Sequence, residues 1–124
     1  CAIPGSSAYF QGALVTYSNE LKKKLANVDE KTIAKNGAVS REVACSMAEE
    51  GRKILGVDLC IATTGISGPS GGTDEKPVGL VWVAIATKDK TLVKSFQFGD
   101  NRARNQQMTV SSALNFLRFE VLTK

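Results

Sequence analysis

Residues 58–72, Asp-Leu-Cys-Ile-Ala-Thr-Thr-Gly-Ile-Ser-Gly-Pro-Ser-Gly-Gly, run from an apolar stretch straight into a loop of glycines, hydroxyls and one proline. The apolar part predicts a buried strand. The loop predicts backbone N–H groups left open at the strand's end, which is where open α/β sheets hold their ligands. Downstream, residues 78–87 are apolar almost throughout and predict a strand covered on both faces. Lys88-Asp-Lys90 is a short turn, so 91–98 should return antiparallel to its neighbour. There Leu92, Phe96 and Phe98 share one parity and Val93, Ser95 and Gln97 the other, as suits an edge strand.

Upstream, residues 11–17 alternate and carry Leu14, Val15 and Tyr17, which predicts a strand. Asn19 is positioned to cap a helix reaching about Ala26. A shorter helix is expected over 29–35, closed by Asn36-Gly37. Ser40 caps a longer one, whose Ala44, Met47, Ala48, Gly51 and Leu55 share a face and which Gly56 ends. From about Arg104 the chain reads as helix, with Val110, Leu114, Leu117 and Val121 as its buried stripe. These elements predict one α/β domain over 1–124, a mixed sheet with helices on both faces.

Composition narrows the chemistry. Histidine is absent, so neither a Ser-His-Asp triad, a Cys-His dyad nor a histidine metal site can be built. A general base must be a carboxylate, a lysine, a tyrosine or a water. Net charge is +4, but Lys22-Lys23-Lys24 is the only basic run and has no interleaved aromatics, so no specific nucleic-acid surface is expected. No apolar run has membrane-spanning length, and no signal-peptide pattern is visible. Cys1, Cys45 and Cys60 are odd in number and lack metal-ligand spacing. Buried reduced thiols and a cytoplasmic location are the expectation.

Five short motifs occur in order: Pro4-Gly-Ser-Ser-Ala-Tyr-Phe10, Val15-Thr-Tyr-Ser-Asn-Glu20, Gly37-Ala-Val-Ser40, Thr64-Gly-Ile-Ser-Gly-Pro69 and Lys76-Pro-Val-Gly79. Together they resemble the C-terminal domain of the competence/damage-inducible protein CinA, a family that includes stand-alone nicotinamide-nucleotide amidases. The resemblance implies hydrolysis of the carboxamide of nicotinamide mononucleotide to nicotinate mononucleotide and ammonia, in pyridine-nucleotide salvage. It implies a three-layer α/β/α fold with a mixed, mostly parallel sheet. It also implies a homodimer or higher homo-oligomer, and no metal or redox cofactor. Family members carry a further motif, Ser-Cys-Thr-Gly-Gly, on a strand and helix before the Pro-Gly-Ser-Ser turn, and its serine is regarded as the nucleophile. That motif does not occur in this sequence. The expectation is therefore a natural protein that is longer, with this chain truncated at its N-terminus and lacking the family's first strand and helix. If the chain is complete, it should be inactive or borrow a strand from a partner.

By the same resemblance, Tyr17 matches the active-site tyrosine, Lys22 the lysine five residues on, and Thr64 the threonine opening the Thr-Gly-Ile motif. These are the catalytic candidates. Lysine ordinarily titrates near 10.4, so Lys22 could act as a base only if burial or a cationic neighbour lowers it. Asn19, Gly65, Gly68, Gly71, Gly72, Arg102 and Arg104 are the substrate-binding candidates. The glycines permit close approach and positive φ, and their N–H groups could hold a phosphate or an oxyanion. Either Arg102 or Arg104 could clamp the phosphate from a helix start. The rival readings are a non-catalytic scaffold or dimerisation module, and an N-terminal nucleophile amidase using Cys1.

Overall fold

The structure is a computed structural model and describes residues 1–123. Its sheet has three strands, β1 (Cys60–Gly65), β2 (Leu80–Ala86) and β3 (Thr91–Gln97), in the order β1-β2-β3. Both pairs are antiparallel, with Thr64 opposite Trp82 and Val81 opposite Phe96. The expected mostly parallel sheet is thus corrected. Loop 66–79 joins β1 to β2 and turn 87–90 joins β2 to β3. Neither connection crosses a sheet face, and a strand that returns without a crossover runs antiparallel.

A parallel pair would have needed residues 11–17, which precede the helices. There Gly12, Leu14 and Thr16 are the less exposed positions and Ala13, Val15 and Tyr17 are exposed, as in a strand. Yet the segment has no ladder partner among the described residues, so the expected strand over 11–17 is absent.

β2 is the central strand, and Val81, Val83, Ala84, Ile85 and Ala86 are at most 3% exposed. Truncating Ile85 to alanine would cost about 2–5 kcal/mol. On one face lies α3 (Arg41–Leu55). Its Ala44 and Ala48 meet Ala62, Ala84 and Ala86, and such small side chains let helix and sheet approach closely. At Gly51 an added Cβ would lie 3.0 Å from the Cys60 sulfur. Ser40 caps the helix by accepting from the Val43 N–H at 3.2 Å, and Gly56 closes it in the left-handed conformation.

The opposite face is covered by α4 (Arg102–Leu117). Ala113 packs on Val81 and Val83, with Phe96, Phe98 and Phe116 around them. The rings of Phe96 and Phe98 stack with centroids 5.7 Å apart. Helices on both faces make the three-layer α/β/α arrangement. Two short helices, α1 (Asn19–Lys24) and α2 (Glu30–Asn36), sit beside α3. There Ala26, Val28 and Ile33 cluster on Val43.

Two further expectations are corrected. Ser18, not Asn19, caps α1: its hydroxyl accepts from the Leu21 N–H at 3.1 Å, and Asn19 is the first helical residue. The expected buried stripe of α4 is also displaced. Val110 and Leu114 are 59% and 55% exposed, whereas Asn105 and Ala113 are buried and Thr109 and Phe116 half-buried. The helix docks through smaller residues close to β2, and its larger aliphatics face sideways, where no described element covers them. All three cysteines are free thiols. Among the described residues no helix is long and apolar enough to cross a membrane.

Candidate functional site

Lys22 is the anomaly in this fold. It lies on α1, is 8% exposed, and its ammonium donates to the Thr16 carbonyl at 2.7 Å. No carboxylate pairs with it among the described residues. Burial disfavours its charged form and holds its pKa below the ordinary 10.5. Lys23, one residue on, is driven the other way. Its hydrogen bond to Glu20, and the charges of Glu20 and Glu30, raise its pKa. One turn of helix thus carries a lysine whose charged form is disfavoured by burial beside one whose charged form is favoured by its acidic neighbours. Helical geometry sends successive side chains about 100° apart, so Lys22 turns inward and Lys23 outward.

Thr16 is next to Tyr17, so the buried ammonium and the tyrosine share one strip of backbone. Tyr17 is 83% exposed. Its hydroxyl accepts from the Arg102 guanidinium at 3.2 Å. The same guanidinium donates to the Gly68 carbonyl at 2.8 Å. Arg102 therefore ties Tyr17 to the glycine loop from the first turn of α4. Asn101 caps that helix, its side-chain oxygen accepting from the Arg104 N–H at 3.0 Å. The Arg102 side chain reaches the loop, whereas the Arg104 side chain makes no hydrogen bond to it among the described residues; both side chains are exposed.

In the loop, Gly68 and Gly71 have φ of +87° and +96°, conformations costly for any other L-residue. Gly65 and Gly72 serve close approach instead. A Cβ at Gly65 would come within 2.8 Å of Val81, and one at Gly72 within 2.6 Å of the Val78 nitrogen. The N–H groups of Gly68, Gly71 and Gly72 make no hydrogen bond among the described residues. Gly71 and Gly72 are exposed and Gly68 is buried, so the N–H groups of Gly71 and Gly72 are the loop donors open to solvent.

Thr64 is 7% exposed and its hydroxyl donates to the Ala38 carbonyl at 2.8 Å. It stitches the end of β1 to the stretch between α2 and α3. Lys76 ties the far end of the loop to the C-terminus of α2 by donating to the Asn36 carbonyl. Asn19 is exposed and contacts neither Tyr17 nor the loop by hydrogen bond. A groove of about 430 Å³ between α2 and α3, lined by Lys31, Lys35, Glu42 and Glu49 among others, contains none of these candidates. No group of three or more His, Cys, Asp or Glu side chains able to hold a metal occurs among the described residues.

Sequence reading missed Asn105, which is 1% exposed and donates to the carbonyls of Ser67 at 3.0 Å and Gly99 at 2.9 Å. The signal was present: Asn105 falls four and eight residues before Thr109 and Ala113, on the face of α4 that docks. It was masked by the larger aliphatics of the neighbouring stripe.

The arrangement matches known proteins along nearly its whole length. The family model for the CinA C-terminal domain matches residues 1–121. A CinA-like protein of Parasynechococcus marenigrum is 47% identical over 99% of this chain, and one of Geobacter sulfurreducens is 46% identical over 98%. The chain spans about 30% of the length of each of these relatives. Among solved structures, the competence/damage inducible protein CihA from Agrobacterium tumefaciens superposes with a TM-score of 0.90 at 38% identity, over 93% of this chain and 71% of that one. The competence damage-inducible protein A from Klebsiella pneumoniae gives 0.93 at 32% identity, over 99% and 76%. The chain belongs to the CinA C-terminal domain family.

Proposed function

We propose that this domain hydrolyses the carboxamide of nicotinamide mononucleotide, releasing ammonia and leaving nicotinate mononucleotide. The observation that carries the reading is Lys22, a buried ammonium with no acidic partner among the described residues and a lowered pKa. Such a group is costly for a fold to keep, and its lowered pKa makes the free amine easier to reach than in an ordinary lysine. Tyr17 lies one residue from the carbonyl that holds it, and Arg102 joins that tyrosine to the loop.

In this mechanism the attacking hydroxyl is that of the serine in the family's Ser-Cys-Thr-Gly-Gly segment, which is not part of this sequence. Lys22, as the free amine, takes the serine proton while the oxygen bonds to the amide carbon. The carbonyl electrons move onto oxygen, and the open N–H groups of the loop stabilise that charge. Proton delivery through Lys22 and Tyr17 lets the C–N bond break and ammonia leave. Water then adds to the acyl ester, Lys22 taking its proton, and serine is released. Arg102 supplies the guanidinium for the phosphate.

The exposed apolar stripe at Val110 and Leu114 favours a second reading, a docking or dimerisation module without catalysis. One assay separates the two. Ammonia release is followed with the intact protein, using nicotinamide mononucleotide and the phosphate-free nicotinamide riboside. The enzyme reading expects turnover of the nucleotide and much weaker turnover of the riboside. No ammonia from either substrate would leave the module.

A further inference from the structure

We infer that Lys76 is a positioning residue: its ammonium latches the far half of the glycine loop to the end of α2 and so fixes where the exposed Gly71 and Gly72 N–H groups stand. The inference rests on the amidase reading for the identity of the substrate those groups meet. Loop 66–79 is held at its near end by α4, through Arg102 on the Gly68 carbonyl and Asn105 on the Ser67 carbonyl. Residues 70–76 have no such support. Among the described residues their hydrogen bonds are internal, between Thr73 and Lys76, with one exception. That exception is the Lys76 ammonium, which donates to the Asn36 carbonyl. Residues 70–75 are all exposed, whereas Lys76 is half-buried. No carboxylate pairs with it among the described residues, although Asp74 and Glu75 adjoin it in sequence.

The landing point of the latch is itself fixed. Asn36 is the last residue of α2, and the final carbonyls of a helix lack a helical partner and favour a cation. Three successive carbonyls here accept from side chains: Asn36 from Lys76, Gly37 from Ser40 and Ala38 from Thr64. Thr64 belongs to β1, so the sheet holds this turn and the ammonium is fastened to a rigid point. Gly37 leaves room for it: φ there is +78°, and an added Cβ would lie 2.7 Å from the Lys76 Nζ. With both ends held, the loop folds over Val78. A Cβ at Gly72 would come within 2.9 Å of the Val78 side chain, and one at Gly68 within 2.5 Å. Gly72 thus stands on the same side chain as the glycine whose carbonyl holds Arg102. Gly71, Gly72 and Arg102 are all exposed. Two open N–H groups and a guanidinium offer an anionic oxygen a common set of donors. The phosphate and the developing oxyanion present the same chemistry to them.

The test uses amide NMR, phosphate titration and kinetics on the protein, on Lys76→Met and on Lys88→Met, which removes the same charge from turn 87–90. In the wild type, the Gly71 and Gly72 order parameters should lie near the ~0.85 of rigid backbone. Inorganic phosphate and nicotinamide mononucleotide should each move at least one of these two amide protons downfield. Wild-type order parameters below about 0.6, or amides that neither probe moves, overturn the inference without any variant. In Lys76→Met, the order parameters should fall below about 0.6, and phosphate affinity and kcat/KM should each fall at least about tenfold. A fall in kcat alone assigns the N–H groups to the oxyanion, and a rise in KM alone assigns them to the phosphate. A Lys76→Met protein that keeps its ordered loop or its phosphate affinity overturns the inference. So does an equal loss in Lys88→Met, which would trace the effect to net charge. If the wild type releases no ammonia, the amidase reading falls by itself, and the order parameters and phosphate titration still decide the role of Lys76.

Discussion

Replacing Lys22 with methionine separates what the side chain does for the fold from what it does for chemistry. Methionine keeps the unbranched stem and fills similar space. The change deletes one charge-assisted hydrogen bond, to the Thr16 carbonyl at 2.7 Å, which is worth about 1.5–3 kcal/mol. It also removes a buried ammonium that no carboxylate compensates, and the penalty for such an ion is roughly several kcal/mol. The two terms oppose each other, so stability should stay within about 2 kcal/mol of wild type in either direction. For a domain of this size that is a shift of less than about 10 °C in Tm. Loss of the proton-moving group should cost about 10²–10⁴ in kcat. The assay pairs thermal melts with ammonia release from nicotinamide mononucleotide at 25 °C, far below the melt. A variant with kcat within about threefold of wild type refutes the role given to Lys22. So does a loss of activity fully explained by unfolding at the assay temperature.

Arg102→Ala should raise KM for the nucleotide by about tenfold or more, because the guanidinium on Gly68 and Tyr17 is lost, whereas Arg104→Ala should change it by less than about twofold; steady-state kinetics reads both. Gly79→Ala should destabilise by more than about 3 kcal/mol in denaturant melts, since φ is +92° and the new Cβ would sit 2.6 Å from the Phe98 carbonyl oxygen. Lys22 also sets a pH dependence of stability. Its folded pKa lies below 10.5, so the unfolded state binds more protons between the folded value and 10.5. Stability should therefore rise with pH across that window, and Lys22→Met should abolish that part of the rise in melts from neutral to alkaline pH.

How much of this was legible in the residues depends on whether a signal was local. Ser40 and Gly56 mark the ends of α3 because a cap hydroxyl and a left-handed terminus are short-range requirements. The parity of Leu92, Phe96 and Phe98 predicts an edge strand, and β3 is one. Successive residues of a strand face opposite sides, and Thr63 of β1 is exposed while Thr64 is buried. Pairing is not local. Residues 11–17 have the alternation of a strand, but ladder formation needs a neighbour, and their pattern says nothing of whether one is there.

Helix docking misled for a related reason. Large aliphatics at Val110 and Leu114 look like a core stripe, yet a helix lying close to a sheet buries its small residues and leaves bulky ones at the flank. At the site, the sequence motifs singled out Tyr17, Lys22 and the glycine loop, and Arg102 as one of two arginines. That the Arg102 side chain reaches the loop is shown by its bond to the Gly68 carbonyl, a long-range contact that sequence spacing does not resolve. Asn105 was hidden because a buried amide is recognised by its partners, which are the carbonyls of Ser67, 38 residues upstream, and Gly99.

The most direct measurement is the titration of the Lys22 side chain, followed by NMR of its ε-methylene group with Lys22→Met to assign the signal. The account predicts a midpoint clearly below 10.5, with the free amine populated as pH rises toward that value. A midpoint at or above 10.5 would show a stably charged lysine, and the proton-moving role assigned to it would be wrong.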